Sequence, residues 1–175
     1  MTEPWLRGPL PDIDPIVAPV LYSFQHARED LATYTEGLSN EEIWSRPQEI
    51  TSLGFHIRHM GGSVARLCAY LEGRQLTPEE LERIPREGDP GAGRDELLSN
   101  LNAEFVRCER LLRGLNPGTL RDRREVGRNR LPTTVIGLVV HLAEHTQRHL
   151  GQAITTAKLL HARKQDLAQS RVNPG

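Results

Sequence analysis

The segment Pro132–Gln152, PTTVIGLVVHLAEHTQRHLGQ, decides how this chain folds. It opens on Pro132-Thr133-Thr134, residue types that suit the start of a helix. Val135, Val139 and Leu142 continue into Ala153 and Leu160 at helical rather than strand spacing. The spacing predicts the longest helix of the chain, from about residue 134 to about Gln165. His141, His145 and His149 stand at i, i+4 and i+8 within it, which stacks three imidazoles along one face. At about 100° per residue, His149 lies about 40° from the centre of the apolar stripe, His145 about 80° and His141 about 120°. His145 and His149 therefore face a bundle interior better than His141 does.

Upstream, three more stretches repeat the helical pattern. Val17, Val20, Leu21, Phe24, Leu31, Tyr34 and Leu38 predict a helix over 15–37, with Gly37 as its stop. Leu53, Ile57, Met60, Val64, Leu67 and Leu71 predict a second over 52–72, capped by Thr51 or Ser52. Gly61-Gly62 inside it costs roughly 1 kcal/mol per glycine against alanine, and points to close packing or to a kink. Leu97, Leu101, Phe105, Cys108, Leu112 and Leu115 predict a third over 94–115, ended by Asn116-Pro117-Gly118. Ser39-Asn40-Glu41-Glu42 and Thr77-Pro78-Glu79-Glu80 are capping boxes, so short helices to Trp44 and to about Ile84 belong in the connections. Pro85 to Gly93 reads as a loop, and so does the arginine-rich run from Thr119 to Leu131. No segment reads as a strand. The expected fold is all-α: a four-helix bundle with short extra helices in its connections, which a β-sheet would contradict. Residues 1–14 form a Pro-rich arm, 15–168 the single bundle domain, and 169–175 a tail expected to fray.

Composition agrees and narrows the function. The chain has 175 residues, enough to bury a core without a staple. Its formal net charge of −1 argues against a nucleic-acid partner. Its two cysteines, Cys68 and Cys108, lack metal or redox spacing and fall in apolar helical positions, so both read as core fillers in a reducing compartment. No stretch approaches the roughly 18 apolar residues of a membrane span, and Met1-Thr2-Glu3-Pro4-Trp5 is no signal peptide. A cytoplasmic protein is expected.

Five of the seven histidines fall in two clusters, His56-Ile57-Arg58-His59 and the run from His141 to His149. Two imidazoles one helical turn apart can hold one divalent cation, with a third from a neighbouring helix. On the second helix, His56 lies about 60° from the stripe centre and His59 about 120°. Geometry alone prefers His56, and spacing leaves both open. His141-Leu142-Ala143-Glu144-His145 also fits the inverted zinc-protease motif, with Glu144 as general base. Glu144 lies opposite the apolar stripe, however, and nothing else suggests a protease. A di-iron carboxylate bundle needs a glutamate three residues before a histidine, and the sequence has none.

Ser52-Leu-Gly-Phe-His-Ile-Arg-His59 with Gly62-Ser63-Val64-Ala65-Arg66-Leu67, and Ala143-Glu144-His145-Thr146-Gln147-Arg148-His149-Leu150-Gly151-Gln152, resemble the second and last helices of the DinB-like (damage-inducible) superfamily. Leu38-Ser39-Asn40-Glu41-Glu42-Ile43-Trp44 after the first helix fits as well, so the likeness spans about residues 15–160. The resemblance implies a bundle with up-down-down-up connectivity. It implies a divalent metal held by one histidine of the second helix and two of the last, here His59, His145 and His149. That displaces the preference for His56 and leaves His56 and His141 as pocket or supporting residues. Zinc comes first, with nickel, manganese or iron as alternatives. Relatives include S-transferases and isomerases that use low-molecular-weight bacterial thiols. Many others carry no established reaction and are described as metal-dependent hydrolases. Homodimers are common among them.

Three neutral imidazoles leave a coordination position open, as in catalytic rather than structural sites. Water or a low-molecular-weight thiol could be activated there against a small-molecule substrate. Glu144 and Gln152 are the candidate catalytic residues, the first for proton transfer, the second for hydrogen-bonding a ligand. Arg121, Arg123, Arg124, Arg128 and Arg130 offer an anion-receiving loop, although a solvated run with local acidic partners is the commoner outcome. The alternative is a non-catalytic dimeric bundle with a structural or vestigial metal site.

Overall fold

The computed structural model describes residues 2–172. The four expected long helices are present: α1 (Ala18–Tyr34), α3 (Leu53–Leu71), α5 (Arg94–Arg113) and α6 (Val135–Val172). Both capping boxes form. Ser39 and Glu42 cap the short α2 (Asn40–Trp44) reciprocally, and Thr77 and Glu80 do the same for α4 (Pro78–Arg83). Ser52, not Thr51, caps α3 by accepting from the Phe55 amide. Thr134 Oγ1 accepts from the Gly137 amide at the start of α6. The fourth helix runs past its expected end near Gln165 as far as Val172. Residues 173–175 of the expected tail lie outside the described residues.

Cross-helix contacts fix the connectivity. Gln147 bonds the Ser23 carbonyl and His161 the Tyr34 carbonyl, so α1 and α6 are parallel. Thr156 near the middle of α6 reaches Thr51 ahead of α3, whereas Arg124 ahead of α6 bonds Leu71 at the end of α3, so that pair is antiparallel. Arg94 opens α5 against Thr35, at the end of α1, and Arg28 further up α1 bonds Asn102 and Glu109. These directions give the up-down-down-up arrangement. The parallel pair α3 and α5 needs a return crossover, which the segment with α4 supplies. At the centre, Phe24 and Phe105 stack with ring centroids 4.1 Å apart, both fully buried. Cys68 and Cys108 are free and buried beside them in the same core, as expected of fillers.

The N-terminal arm is not simply extended. Pro4–Leu6 makes a 3₁₀ turn, Arg7 pairs with Glu29, and the Tyr22 hydroxyl donates to the Gly8 carbonyl, which fastens the arm along α1.

The arginine-rich run is the main departure from expectation. Its second half and the three residues after it form a hairpin, β1 (Arg123–Val126) paired antiparallel with β2 (Leu131–Thr134), so Pro132-Thr133-Thr134 lie in a strand and the last helix opens after them at Val135. Gly127 and Arg130 close its turn with positive φ of 72° and 48°. Each strand has only four residues, and Pro132 occupies an edge position, so no alternating apolar pattern advertises them. Tertiary contacts hold the hairpin: Arg124 donates to the Leu71 carbonyl, and Gln75 to that of Glu125. A two-stranded hairpin of this size leaves the all-α bundle architecture intact.

Candidate metal centre

The antiparallel pair α3 and α6 brings the two histidine clusters face to face. His59, His145 and His149 each offer a ring nitrogen, and these atoms lie within 4.8 Å of one another. Ring centroids are 4.4 Å apart for His59–His149, 4.5 Å for His145–His149 and 5.1 Å for His59–His145. One turn of α6 supplies two rings in register, and α3 supplies the third across the seam.

Burial keeps two of these rings neutral. It pushes His145 down to about 4, with the neighbouring charges of His59, His141 and Arg66 acting in the same direction. It pushes His149 down to about 3, again helped by His59, His145 and His56. Neutral imidazole is the form that binds a cation, so the pair is in the ligating state at neutral pH.

His59 is held by a residue that no sequence pattern marks. Glu87, only 6% exposed, accepts from His59 Nδ1 at 2.6 Å through Oε2 and pairs with Arg66 through Oε1. Burial alone would raise its carboxyl pKa, but the hydrogen bonds from His59 and Arg66 outweigh that and hold it below the usual range. With Nδ1 engaged, Nε2 is the nitrogen His59 has left for a ligand. The placement of Glu87 follows from α3. Arg58, Gly62 and Arg66 recur every four residues along one face. Arg58 donates to the carbonyls of Arg86 and Asp89 and so clamps the 3₁₀ turn Ile84–Gly88. Arg66 takes the carboxylate, and Gly62 between them leaves room for it. A Cβ at Gly62 would overlap Glu87 Oε1 and stand 3.0 Å from Arg66 Nη1. Gly61 instead faces Leu101 of α5 at an ordinary 3.6 Å. The glycine pair thus serves close approach, and α3 runs through it as one helix.

The other candidates fall outside the group of three. His56 is buried, its Nδ1 3.3 Å from that of His149, so one ring donates to the other. Burial, then the charge of His59, lowers His56 to about 4. It therefore sits behind His149 as a supporting acceptor or donor. His141 stands 5.3 Å from His145, centroid to centroid, and bonds Glu144 at 2.8 Å. The Glu144 side chain is 46% exposed and also pairs with Arg148, so its carboxylate is spent on the flank of α6. The inverted-protease arrangement, with His141 as ligand, is not assembled. Gln152 is exposed. Phe55, unremarked in the sequence, stacks on the His59 ring at 5.1 Å and covers one side of it.

Among the described residues no helix is long and apolar enough to cross a membrane. No curated protein matches the chain. Residues 23–153, which span α1 to the middle of α6 and include all five clustered histidines, match the model of the DinB superfamily. With that match over most of its length and with this bundle, the chain belongs to the DinB superfamily.

Proposed function

We propose that the protein is a metal-dependent enzyme whose three-histidine centre activates water or a low-molecular-weight thiol. The observation that carries this reading is the convergence of His59, His145 and His149 within 4.8 Å, with His59 oriented by a buried carboxylate. The donor set fits a divalent cation: three imidazoles, two of them held neutral, with no carboxylate among the three. Zinc suits it first. A bound ion would supply an electrophilic centre at which water or a thiol gives up its proton near neutral pH. The chain's own residues do the rest. His59, His145 and His149 would hold the ion, Glu87 and His56 orient their rings, and Phe55 covers one face of His59. Glu144, exposed and paired with His141 and Arg148 on the flank of α6, takes no part in this reading.

The experiment separates a catalytic from a structural ion. The protein is treated with chelator, followed by circular dichroism, and assayed for conjugation and hydrolysis with a panel of bacterial thiols. The core is continuous through all four long helices, so helicity should survive chelation with a modest melting shift, while activity disappears and returns with zinc. Global unfolding on chelation would make the ion structural and remove the support for an enzyme.

A further inference from the structure

A cavity of about 510 Å³ lies along α3 beyond the histidines, between that helix, the segment carrying α4 and the tip of the hairpin. Its volume is that of a small-molecule pocket. Its walls are mostly apolar, with Leu76 and Ile84 among them. Its charged lining groups are Arg66 and Arg128, with no aspartate or glutamate among them; Arg66 is paired with Glu87, whereas Arg128 has no ion pair among the described residues. Ser63 and Tyr70 line it too, only 7% and 6% exposed, and among the described residues neither hydroxyl has a hydrogen-bond partner. Neither oxygen is sealed off, since among the described residues Glu104 Oε2 is the buried side-chain atom left without a partner, so both hydroxyls are free to bond polar atoms of a bound molecule. Of the five arginines in the 121–130 run, Arg124 is committed to backbone carbonyls and Arg130 to Glu125, whereas Arg128 faces the cavity. The larger cavity on the α5 side of α3, about 630 Å³, differs in this respect: its arginines are balanced by Glu80, Glu87, Asp89 and Glu104.

The cavity begins one turn of α3 beyond His59, and none of the three histidines lines it. Ser63 is four residues from His59 and hence on the same face of α3, one turn along. Arg66, which lines the cavity, grips the same Glu87 carboxylate that holds His59.

We propose that this cavity, one turn of α3 from the three-histidine centre, takes a small organic carboxylate with an apolar body. Arg128 receives the carboxylate, and the Ser63 and Tyr70 hydroxyls hold further polar atoms of the bound molecule. Binding of the anion does not require the ion.

Calorimetry on the full chain tests it, with 3-phenylpropionate as the probe and uncharged 3-phenylpropionamide as its control, in zinc-loaded and chelator-treated protein. The carboxylate should bind at least about ten-fold more tightly than the amide, and Arg128→Ala should remove that difference. Arg128 is exposed at the hairpin tip, so this variant keeps the fold. Tyr70→Phe should weaken the probe while melting as the wild type does. A separate zinc titration should be unchanged in both variants. Equal affinity for acid and amide, equal probe affinity in the wild type and Arg128→Ala, or no binding of the probe overturns the pocket. Failure of the wild type to bind zinc would strike the metal reading alone, because the acid–amide comparison still decides the pocket.

Discussion

Replacing Gly62 by alanine is the sharpest probe of how this site is built. In a helix interior, glycine to alanine ordinarily stabilises by about 1 kcal/mol. At Gly62 the added methyl would overlap Glu87 Oε1 and crowd Arg66 Nη1 at 3.0 Å. The carboxylate sits at the end of a side chain that can swing, so the helix itself need not break. Swinging, however, takes it from His59 and from Arg66, its two partners. Leaving such a buried group short of partners costs about 1–3 kcal/mol, which cancels or exceeds the helical gain. The effect on the metal should be larger in proportion. Removing the group that orients a histidine ligand typically lowers metal affinity about 10–100-fold, or roughly 1.4–2.8 kcal/mol.

Gly61→Ala is the matched control. Its methyl would meet Leu101 at 3.6 Å, ordinary contact, so the variant should gain roughly 0.5–1 kcal/mol and bind zinc as the wild type does. A competitive chelator titration reads affinity, and thermal melts of the metal-free proteins read stability. Glu87→Gln should lose zinc affinity to a similar degree, and combining it with Gly62→Ala should add little, since both act through one contact. If Gly62→Ala binds zinc within about two-fold of the wild type, Glu87 does not orient His59 and the reasoning fails.

Three further outcomes follow from the same geometry. His149→Ala should abolish stoichiometric zinc binding by elemental analysis, whereas His26→Ala and His161→Ala should not, because those rings serve Asp30 and the Tyr34 carbonyl instead. Acid should destabilise the metal-free protein: His56, His145 and His149 stay neutral down to about 4, 4 and 3 when folded, while unfolded histidines take protons near 6.5. Their contribution is complete above 6.5 and shrinks as pH falls toward 4, so the melting temperature after chelation should drop between pH 7 and pH 5, and a flat profile would refute it. We also propose a homodimer, which light scattering should report as twice the 19.7 kDa chain; a monomer mass at all concentrations counts against it.

The bundle was legible because its signals are local. Two capping boxes and four apolar stripes mark every helix, and each formed near its expected place. The ends are less legible. The last helix runs past its expected end near Gln165 because a helix can continue without an apolar stripe, as α6 does to Val172. The hairpin left no pattern because what stabilises it is far off in sequence, at Leu71 and Gln75. Glu87 was invisible for the same reason. Nothing in Pro85-Arg86-Glu87-Gly88 distinguishes it from a solvated loop. Its role depends on Arg58 and Arg66, whose spacing about Gly62 acquires meaning only once the crossover segment lies across α3.

The two histidines of α3 show where a helical wheel helps and where it misleads. The wheel measures distance from the apolar stripe and so ranks burial. It placed His56 nearer the core, and His56 is indeed 5% exposed. A ligand for an exchangeable ion has a different requirement. It must face its partner ligands across a seam, with one side open to substrate and a carboxylate within reach behind it. His59 meets these conditions because it lies off the stripe: its side chain keeps 20% exposure, touches Glu87 behind and faces His145 and His149 in front. The more central His56 reaches only the back of His149. In a helical bundle, therefore, the histidine at the flank of the stripe is the better candidate for an open metal site, and the one at its centre for the group that supports it.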